Sequence, residues 1–564
     1  MRTRILALTI TPMLLLAGCA GIPTSGPIQQ GPEVQDGQAD QVIRVIVRPP
    51  EPDMTPTQIV SGFIEASASF EDNHAIAREY LTPQAAATWD PAAGTRVYDG
   101  VPTLAPNGPA DVDMTATQAG SITTDGRFQV SPPGRILSDS FRLDYVEGQW
   151  RIDNPPAGLL LARSDIDRAF RSYDVYFLDP GFTTLVPDSR LIPADGPGLA
   201  TSLMQALANG PTEWLAPAVR TALPDGAGLA VNAVPVEEGV AVVDLDTSVR
   251  LANDATRRAL SAQIVWTLRQ VPGVLAVDLR SGGQALPVPG VPNPQPEDTW
   301  PGYDPNAMPT NAQPYAVRGG RVVEITGSAP LAVPGDAGLG VPPLDGIAVT
   351  LDGLRVAGLD DVGALWSAET RAGAEAQQLI PEPGQSRPSF GRGTAAWVIG
   401  PDQQVKQARA DGAVLTIPID GLSSKIRLES VSVSRDGTRA ALIVRRGPRT
   451  FVMLAVIVLR EGAARIQSPV RVDGRLTSVT DVAWAEDDRL LALGAEGAGA
   501  AQVYEIDIAR GALRSLGAPP NAVRIAGAPG FPPLAATTDG QVYSYAGGPW
   551  VSVGIGGSPA YPGS

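Results

Sequence analysis

The sequence Val433-Ser434-Arg435-Asp436-Gly437-Thr438-Arg439-Ala440-Ala441 predicts a strand, an Asp-Gly turn and a second strand. Asp-Gly is a preferred hairpin turn, and the residues on either side of it are strand-like. Residues 349–357 repeat the pattern around Asp352-Gly353. Similar segments of a turn followed by apolar residues lie at 393–397, 488–492 and 533–535. Their separation of roughly 40–50 residues is the length of a four-stranded propeller blade.

These five segments predict an all-β propeller over residues 313–564. Two further strand-like runs, 315–317 and 321–325, supply strands that complete the ring. A closed ring of blades leaves no long open sheet edge, which is the physical advantage of this architecture. We expect about five to seven blades.

The chain before the propeller predicts two α+β domains, of which the first covers residues 42–165. Thr55, Pro56 and Gln58 have the spacing of a capping box with Pro at the first helical position. Strand-like alternating runs follow the helical region. Helices followed by a curved antiparallel sheet predict a cone-shaped domain of the NTF2-like kind. The strand-like runs lie at 112–114, 128–130, 141–145 and 149–152.

The second α+β domain is predicted over residues 170–290. Strand-like runs at 173–177, 240–245 and 274–279 alternate with apolar helical periods. Residues 291–312 are rich in Pro and Asn without a period, and we interpret them as a linker.

Composition excludes several classes of function. The net charge of the 564-residue chain is -16, which disfavours a nucleic-acid-binding protein because phosphate contacts need a basic surface. One Cys and one His rule out a disulfide framework, a zinc cluster and a Cys/His nucleophile pair. We therefore expect no metal and no cofactor.

The N-terminus has the pattern of an export signal. Arg2 and Arg4 precede a short apolar stretch that ends in Leu16-Ala17-Gly18-Cys19. This pattern predicts a signal peptide over residues 1–18, and the apolar stretch is too short to span a membrane. The last four residues resemble the lipobox of bacterial lipoproteins, and an ordinary signal peptide with an incidental Cys is the alternative.

The lipobox resemblance implies cleavage between Gly18 and Cys19, a diacylglyceryl group on the Cys19 thiol and a palmitoyl group on the new amine. Residues 19–41 then form the lipidated start and a flexible spacer. Two or more acyl chains hold a protein on a bilayer stably. We expect a protein anchored by lipid to the extracytoplasmic face of the cell membrane.

Several short runs along the chain carry a family resemblance. In the first domain these are Ala77-Arg78-Glu79-Tyr80-Leu81-Thr82-Pro83, Trp89-Asp90-Pro91 and Gly148-Gln149-Trp150-Arg151-Ile152. In the second domain they are Leu185-Val186-Pro187, Arg190-Leu191-Ile192-Pro193, Leu207-Ala208-Asn209-Gly210-Pro211, Val243-Asp244-Leu245 and Gln263-Ile264-Val265-Trp266-Thr267-Leu268. In the propeller the resemblance rests on Ser434-Arg435-Asp436-Gly437-Thr438-Arg439-Ala440.

Behind a lipobox, the order of these runs resembles the LpqB family of actinobacterial lipoproteins. The resemblance implies an N-terminal domain, a GerMN domain over 170–290 and a C-terminal propeller. It also implies an accessory role beside the sensor histidine kinase MtrB, in the control of the envelope and of cell division. No partner-binding residue is carried over from the family.

Three polar groups are candidate sites of chemistry. His74 is either a general base or a solvated residue at a helix start, and we favour the second interpretation. Two acidic pairs, Asp360-Asp361 and Asp487-Asp488, have the composition of a glycosidase pair or a cation site. We interpret them instead as residues of hairpin turns.

The sharpest basic cluster comprises Arg445, Arg446 and Arg449. It is either a charged hairpin tip between two strands or a contact for an acidic partner or anionic lipid. These three residues are our only candidates for partner binding.

These observations favour a non-catalytic binding protein whose partners are the bilayer and the extracytoplasmic domain of a sensor kinase. One alternative is a lipoprotein that binds cell-wall glycan, with peptidoglycan as its partner, through the GerMN domain or exposed Trp side chains. The other is a propeller hydrolase that acts through carboxylates. We expect no enzymatic activity.

Overall fold

The computed structural model describes residues 47–193, 198–326 and 330–564. The predicted signal peptide, Cys19, the spacer and the first residues of the domain predicted to begin at 42 lie outside these ranges. The described chain is built as predicted from two α+β domains and a propeller.

The first domain begins with the capped helix. The Thr55 side chain accepts a hydrogen bond from the Gln58 backbone, and the Gln58 side chain accepts one from the Thr55 backbone. Ile59, Val60 and Phe63 form the buried face of the helix. The helices of this domain are α1 (Pro56–Ala66), α2 (Ala75–Glu79), α3 (Pro83–Thr88) and α4 (Arg163–Ala169).

A six-stranded sheet completes the first domain, in the order β5-β4-β2-β1-β6 with β3 also paired to β2. Its pairs are antiparallel except for β1 and β6. Helix α1 packs against several of its strands, so the apolar face of the helix closes the core. The strands are β1 (Thr95–Pro106), β2 (Asp111–Ile122), β3 (Phe128–Val130), β4 (Ile136–Val146), β5 (Gln149–Ile152) and β6 (Leu159–Ala162).

The second domain is built around one buried helix. The helix α6 connects two parallel strands, β10 and β11, and its residues from Ala259 to Leu268 are all buried. A separate hairpin, β7–β8, packs on it. The elements are β7 (Phe170–Leu178), β8 (Leu185–Pro193), α5 (Leu199–Ala208), β9 (Val236–Glu237), β10 (Val240–Leu245), α6 (Asp254–Leu268), β11 (Ala276–Ser281), β12 (Gln284–Ala285) and β13 (Gln295–Pro296).

The predicted linker 291–312 is not a free connection. Its strand β13 pairs with β11, and Trp300 and Tyr303 pack against the core of the second domain. The indole nitrogen of Trp266 donates to the carbonyl of Trp300 at 3.2 Å. Aromatic residues spaced among the prolines thus fix this segment to the domain that precedes it.

The propeller has six blades of four strands each. Blades 2 to 6 contain the five repeated segments, and the runs at 315–317 and 321–325 belong to blade 1. Blades 1 to 3 comprise β14 (Tyr315–Arg318), β15 (Arg321–Glu324), β16 (Leu331–Ala332), a short helix α7 (Asp336–Leu339), β17 (Asp345–Val349), β18 (Arg355–Leu359), β19 (Leu365–Glu369), β20 (Gln377–Ile380), β21 (Ser389–Phe390), β22 (Ala396–Ile399), β23 (Val405–Ala408) and β24 (Val414–Ile417).

Blades 4 to 6 comprise β25 (Arg427–Val433), β26 (Arg439–Arg446), β27 (Arg449–Arg460), β28 (Ala463–Arg471), β29 (Leu476–Trp484), β30 (Arg489–Glu496), β31 (Gln502–Asp507), β32 (Ala512–Ser515), β33 (Ala522–Ala528), β34 (Phe531–Thr537), β35 (Gln541–Tyr545) and β36 (Trp550–Ile555). The last strand, β37 (Gly557–Ala560), pairs with β14 of blade 1. This pairing of the two ends closes the ring and covers the edge of blade 1 that would otherwise be open.

Successive turns of an antiparallel blade emerge on opposite faces of the propeller. We call the face that carries the turns between the first and second strands the docked face, as with residues 434–438 of blade 4. We call the face that carries the turns between the second and third strands the open face, as with residues 447–448 of the same blade.

Candidate functional site

The second domain and the segment after it contact the docked face at two blades. The guanidinium of Arg392 in blade 3 donates to the carbonyl of Thr183 at 3.4 Å. The backbone N–H of Asp487 in blade 5 donates to the Asn306 side chain at 3.0 Å. These contacts hold the first turns of blades 3 and 5 against the second domain and the segment after it, and residues 392–394 of blade 3 stay exposed.

The first turn of blade 4, residues 434–438, forms a closed polar network in this buried location. Asp436 accepts hydrogen bonds from Ser434 Oγ at 2.8 Å and from the Thr438 backbone at 2.7 Å, and pairs with Arg439 at 2.6 Å. Burial acts to raise the pKa of Asp436, but the Arg439 charge and these hydrogen bonds hold it below its ordinary value. The turn therefore contributes a buried ion pair to the structure, in which Arg439 Nε has no hydrogen-bond partner among the described residues.

The pair Asp487-Asp488 lies in the first turn of blade 5, as predicted for a hairpin, and both residues are half-buried. Its neighbour across the junction is Asp174 of β7, whose carboxylate accepts a hydrogen bond from Ser189 Oγ. Burial, followed by the charge of Asp487, raises the pKa of Asp488 to about 7. Burial and the charges of the turn raise the pKa of Asp174 as well. The junction therefore contains three carboxyl groups, and the negative charge of each one disfavours ionisation of the others.

Trp214 of the second domain connects all three domains. Its indole nitrogen donates to the carbonyl of Ser468 in the propeller at 2.8 Å, and the guanidinium of Arg127 in the first domain lies 4.4 Å from its ring centre. All nine Trp side chains of the protein are buried or half-buried. The exposed Trp platform that we considered for glycan binding is therefore wrong, because these rings are used for packing.

An arginine occupies the centre of the propeller. Arg387 donates to the carbonyls of Ile347, Ile525 and Pro559, which belong to the first strands of blades 2, 6 and 1. Its guanidinium lies 3.4 Å from the carboxylate of Asp481 in blade 5. Asp481 is thus held in an ion pair near the centre of the propeller.

The arginine cluster lies on the open face, as a hairpin tip between β26 and β27. Arg445 pairs with Glu429 at 2.6 Å, whereas Arg446 and Arg449 are exposed and stand opposite each other in the pairing of the strands. Arg445 is therefore held within its blade. Arg446 and Arg449 are the two members of the cluster that can reach a partner.

His74 is buried, so its interpretation as a solvated residue was wrong. It does begin helix α2, but its ring lies 4.7 Å from that of Phe70 and 5.8 Å from that of Trp89. Burial, assisted by the charge of Arg78, lowers its pKa to about 4. A neutral imidazole packed among aromatic rings serves the core, which explains a polar residue at this position.

The second acidic pair, Asp360-Asp361, lies in the open-face turn of blade 2. Asp360 accepts hydrogen bonds from the Ala364 backbone at 2.8 Å and from the Trp366 indole at 2.9 Å, and Asp361 is exposed. Asp360 therefore organises its turn, as predicted. Within the described ranges, no group of three His, Cys, Asp or Glu side chains is arranged to hold a metal ion.

The lipidation site Cys19 and the cleavage position after Gly18 lie outside the described residues, and both stay predictions. Within the part of the chain that the structure describes, each helix is too short or too polar to cross a bilayer. The residues that sequence reasoning missed are those of the domain junctions, above all Asp174, Arg127 and Trp214. None of them belongs to a sequence motif. Their function in the junctions follows only from contacts with residues of a neighbouring domain.

Three family models match the chain in the order of its domains. The N-terminal domain of lipoprotein LpqB matches residues 49–167, and the LpqB beta-propeller domain matches residues 320–562. A model described as sporulation and spore germination, the GerMN type, matches residues 174–287.

Relatives match over nearly the full length. Lipoprotein LpqB of Thermobifida fusca is 30% identical, with 98% of this chain and 97% of the relative covered. Lipoprotein LpqB of Cutibacterium acnes is 28% identical over 89% of this chain and 88% of the relative. Among solved structures, the tandem GerMN domains of the sporulation protein GerM from Bacillus subtilis share 18% identity at a TM-score of 0.21, over 29% of this chain and 60% of that one.

Proposed function

Because the chain belongs to the LpqB family of lipoproteins, we propose that it is a non-catalytic accessory protein for a sensor histidine kinase of the MtrB kind. It is held by the acylated Cys19 on the extracytoplasmic face of the membrane. There it binds the outer domain of the kinase and shifts the equilibrium between kinase states. Such a shift requires that it bind one state more tightly than the other.

The observation that carries this proposal is the contrast between the two faces of the propeller. On the docked face the first turns of blades 4 and 5 are buried or half-buried and those of blades 2 and 3 keep exposed residues, whereas the second turns of all six blades include exposed residues. The open face thus offers a partner exposed turns in every blade. Arg446 and Arg449 give it a local positive charge in a protein whose net charge is -16.

The lipid anchor supports a weak interface. Two proteins confined to the same membrane surface meet at a high effective concentration, so an interface of modest affinity is sufficient. A basic tip facing an acidic patch of the kinase would mainly increase the association rate and fix the orientation of the complex.

The test uses the full lipoprotein in lipid nanodiscs and the purified outer domain of the kinase, with affinity measured by biolayer interferometry. The double variant Arg446→Glu, Arg449→Glu is expected to weaken binding at least about tenfold, since it places two like charges against the acidic patch. The matched control is Arg460→Glu, an exposed arginine at the other end of β27, about 37 Å from Arg449 by strand geometry.

Two outcomes contradict the proposal. One is equal binding by the double variant and the wild type, which removes the open face from the interface. The other is unchanged kinase output in cells that lack the lipoprotein, which removes the regulatory role. Retention of the protein on purified peptidoglycan, with no affinity for the kinase domain, would favour the glycan-binding alternative instead.

The hydrolase alternative has a separate test. The pair Asp487-Asp488 is covered by the second domain, and Asp481 is paired with Arg387. Hydrolysis of a panel of glycosides that is abolished by Asp481→Asn would establish this alternative.

A further inference from the structure

The three domains enclose a cleft at the point where Trp214 joins them. Its volume is about 660 Å³, within the range of roughly 300–1,000 Å³ that is typical of small-molecule sites. The first domain contributes most of the wall, Glu213 and Trp214 come from the second domain, and Ser468 and Val470 come from the propeller. We call this the three-domain cleft.

Arg127 is the residue of the three-domain cleft that favours binding of an anionic ligand. Its guanidinium stacks on the Trp214 ring at 4.4 Å, which holds the side chain in one orientation. Burial lowers its pKa to about 10, and the carboxylates of Asp188 and Asp125 act in the opposite direction. Arg127 is half-buried, and a guanidinium that has lost part of its water normally has a hydrogen-bonded anion beside it.

Both nearby carboxylates are engaged elsewhere. Asp188 pairs with Arg190 at 2.7 Å and accepts hydrogen bonds from Thr212. Asp125 accepts hydrogen bonds from the Thr123 hydroxyl and from the Glu213 backbone at 3.1 Å. Among the residues that the structure describes, Arg127 therefore has no carboxylate in an ion pair with it, and its side chain is part of the cleft wall.

The rest of the wall is rich in hydrogen-bonding groups. Thr95 of β1 and Ser121 of β2 present hydroxyl groups, and Arg96 adds a second guanidinium, fixed at 2.9 Å from Asp139. Glu213 is exposed at the cleft and repels negative charge there. Such a wall suits a ligand with several hydroxyl groups and a single anionic group placed at the Arg127 end.

We propose that the three-domain cleft binds a small polyhydroxylated ligand, of the acidic-sugar class, whose one carboxylate or phosphate group pairs with Arg127. Because the walls come from all three domains, the ligand binds only their assembled arrangement. Binding therefore stabilises that arrangement by an amount that grows with the logarithm of the ratio of ligand concentration to Kd. The propeller residues of the cleft, Ser468 and Val470, lie on the outer strand β28 of blade 4, and the exposed Arg446 and Arg449 are not part of the cleft wall.

The test is isothermal titration calorimetry on the full protein in detergent, with matched probes at up to 10 mM. The probes are glucuronate for the carboxylate class, glucose 6-phosphate for the phosphate class and glucose as the neutral control. We expect one charged sugar to bind at least about tenfold more tightly than glucose, because a hydrogen-bonded charge pair is lost with the neutral sugar. Which charged sugar binds identifies the anionic group.

The variant Arg127→Gln is expected to weaken binding of the charged sugar at least about tenfold. Arg318→Gln, which changes an exposed arginine of blade 1 outside the cleft wall, is the control and keeps wild-type affinity. Hydrogen exchange of the wild-type protein gives an independent readout if the Arg127 variant fails to fold. Bound sugar is expected to protect residues 121–129 and 213–214.

Three results overturn the proposal: no binding of either charged sugar, equal binding of glucose, or protection confined to other parts of the chain.

Discussion

Blade 4 carries two arginine-bearing turns at opposite faces, and their surroundings differ completely. In the turn 434–438 and the residue after it, the side chains of Asp436 and Arg439 are 1% and 3% exposed and form a closed network. In the turn between β26 and β27, Arg446 and Arg449 are exposed and stand side by side. The strand that connects these turns is only eight residues long.

The comparison shows that the composition of a turn does not determine its role in a propeller. Both turns are polar and would be solvated in an isolated blade. The turn 434–438 is buried by its neighbours and by the second domain. The turn 447–448 is exposed because successive turns alternate between the two faces of the propeller. A charge on the docked face therefore acts on stability, and a charge on the open face is available for recognition.

The strongest test of this comparison is Asp436→Ala. The variant leaves the guanidinium of Arg439 buried without its partner, and we expect a loss of about 3–5 kcal/mol in the free energy of unfolding. Urea unfolding followed by circular dichroism measures it. The matched control, Asp402→Ala, removes an exposed carboxylate that pairs with Lys406 at 3.2 Å on the open face. A loss of at most about 1 kcal/mol is expected there. Equal losses would contradict the distinction between the faces.

The second test uses the carboxyl groups of the junction. Because the pKa of Asp488 is about 7 in the folded protein and about 4 in an unfolded chain, the folded state binds the extra proton between these values. Stability should therefore fall as the pH rises from about 4 to 7, with a slope of at most about 1.4 kcal/mol per pH unit. Asp488→Asn should remove this contribution and be more stable than the wild type at pH 8.

The control for the pH test is Asp361→Asn, an exposed residue of the open face. Its profile should follow that of the wild type in thermal unfolding between pH 5 and pH 8. A pH dependence of Asp488→Asn that is identical to the wild type would mean that the junction is open to solvent.

The third test asks whether the second domain is what protects the docked face. Trp214→Phe removes the hydrogen bond to Ser468, at an expected cost of about 1 kcal/mol. Hydrogen exchange should become faster in residues 434–438 and stay unchanged in residues 447–448. Trp550→Phe is the control, since its indole donates to the Leu516 carbonyl within the propeller at 2.9 Å. Faster exchange in the docked-face turn of that control would show that the protection is internal to the propeller.

The smallest effect is expected on the open face itself. Arg446→Gln combined with Arg449→Gln should change the free energy of unfolding by less than about 0.5 kcal/mol, because both side chains are exposed and face a like charge. Urea unfolding checks this. A larger loss would mean that the tip is part of the folded core and would weaken its use as a binding surface.

Local patterns in the sequence predicted much of the architecture. The capping box at Thr55 places the start of α1, and the five repeated segments of a turn followed by apolar residues place blades 2 to 6. Such patterns are set by residues within a few positions of each other, where backbone geometry and side-chain period act directly. The order of domains and the family resemblance follow from the same short runs.

Tertiary structure alone decided the six blades, the closure of the ring by β37, the burial of His74 and the placement of Asp174, Arg127 and Trp214. Each of these depends on groups that are distant in the chain. The partners of Trp214, for example, are Arg127 and Ser468, which belong to two other domains. The environment of a charged or aromatic side chain is a property of everything packed around it, and the residues beside it in the chain are only a small part of that.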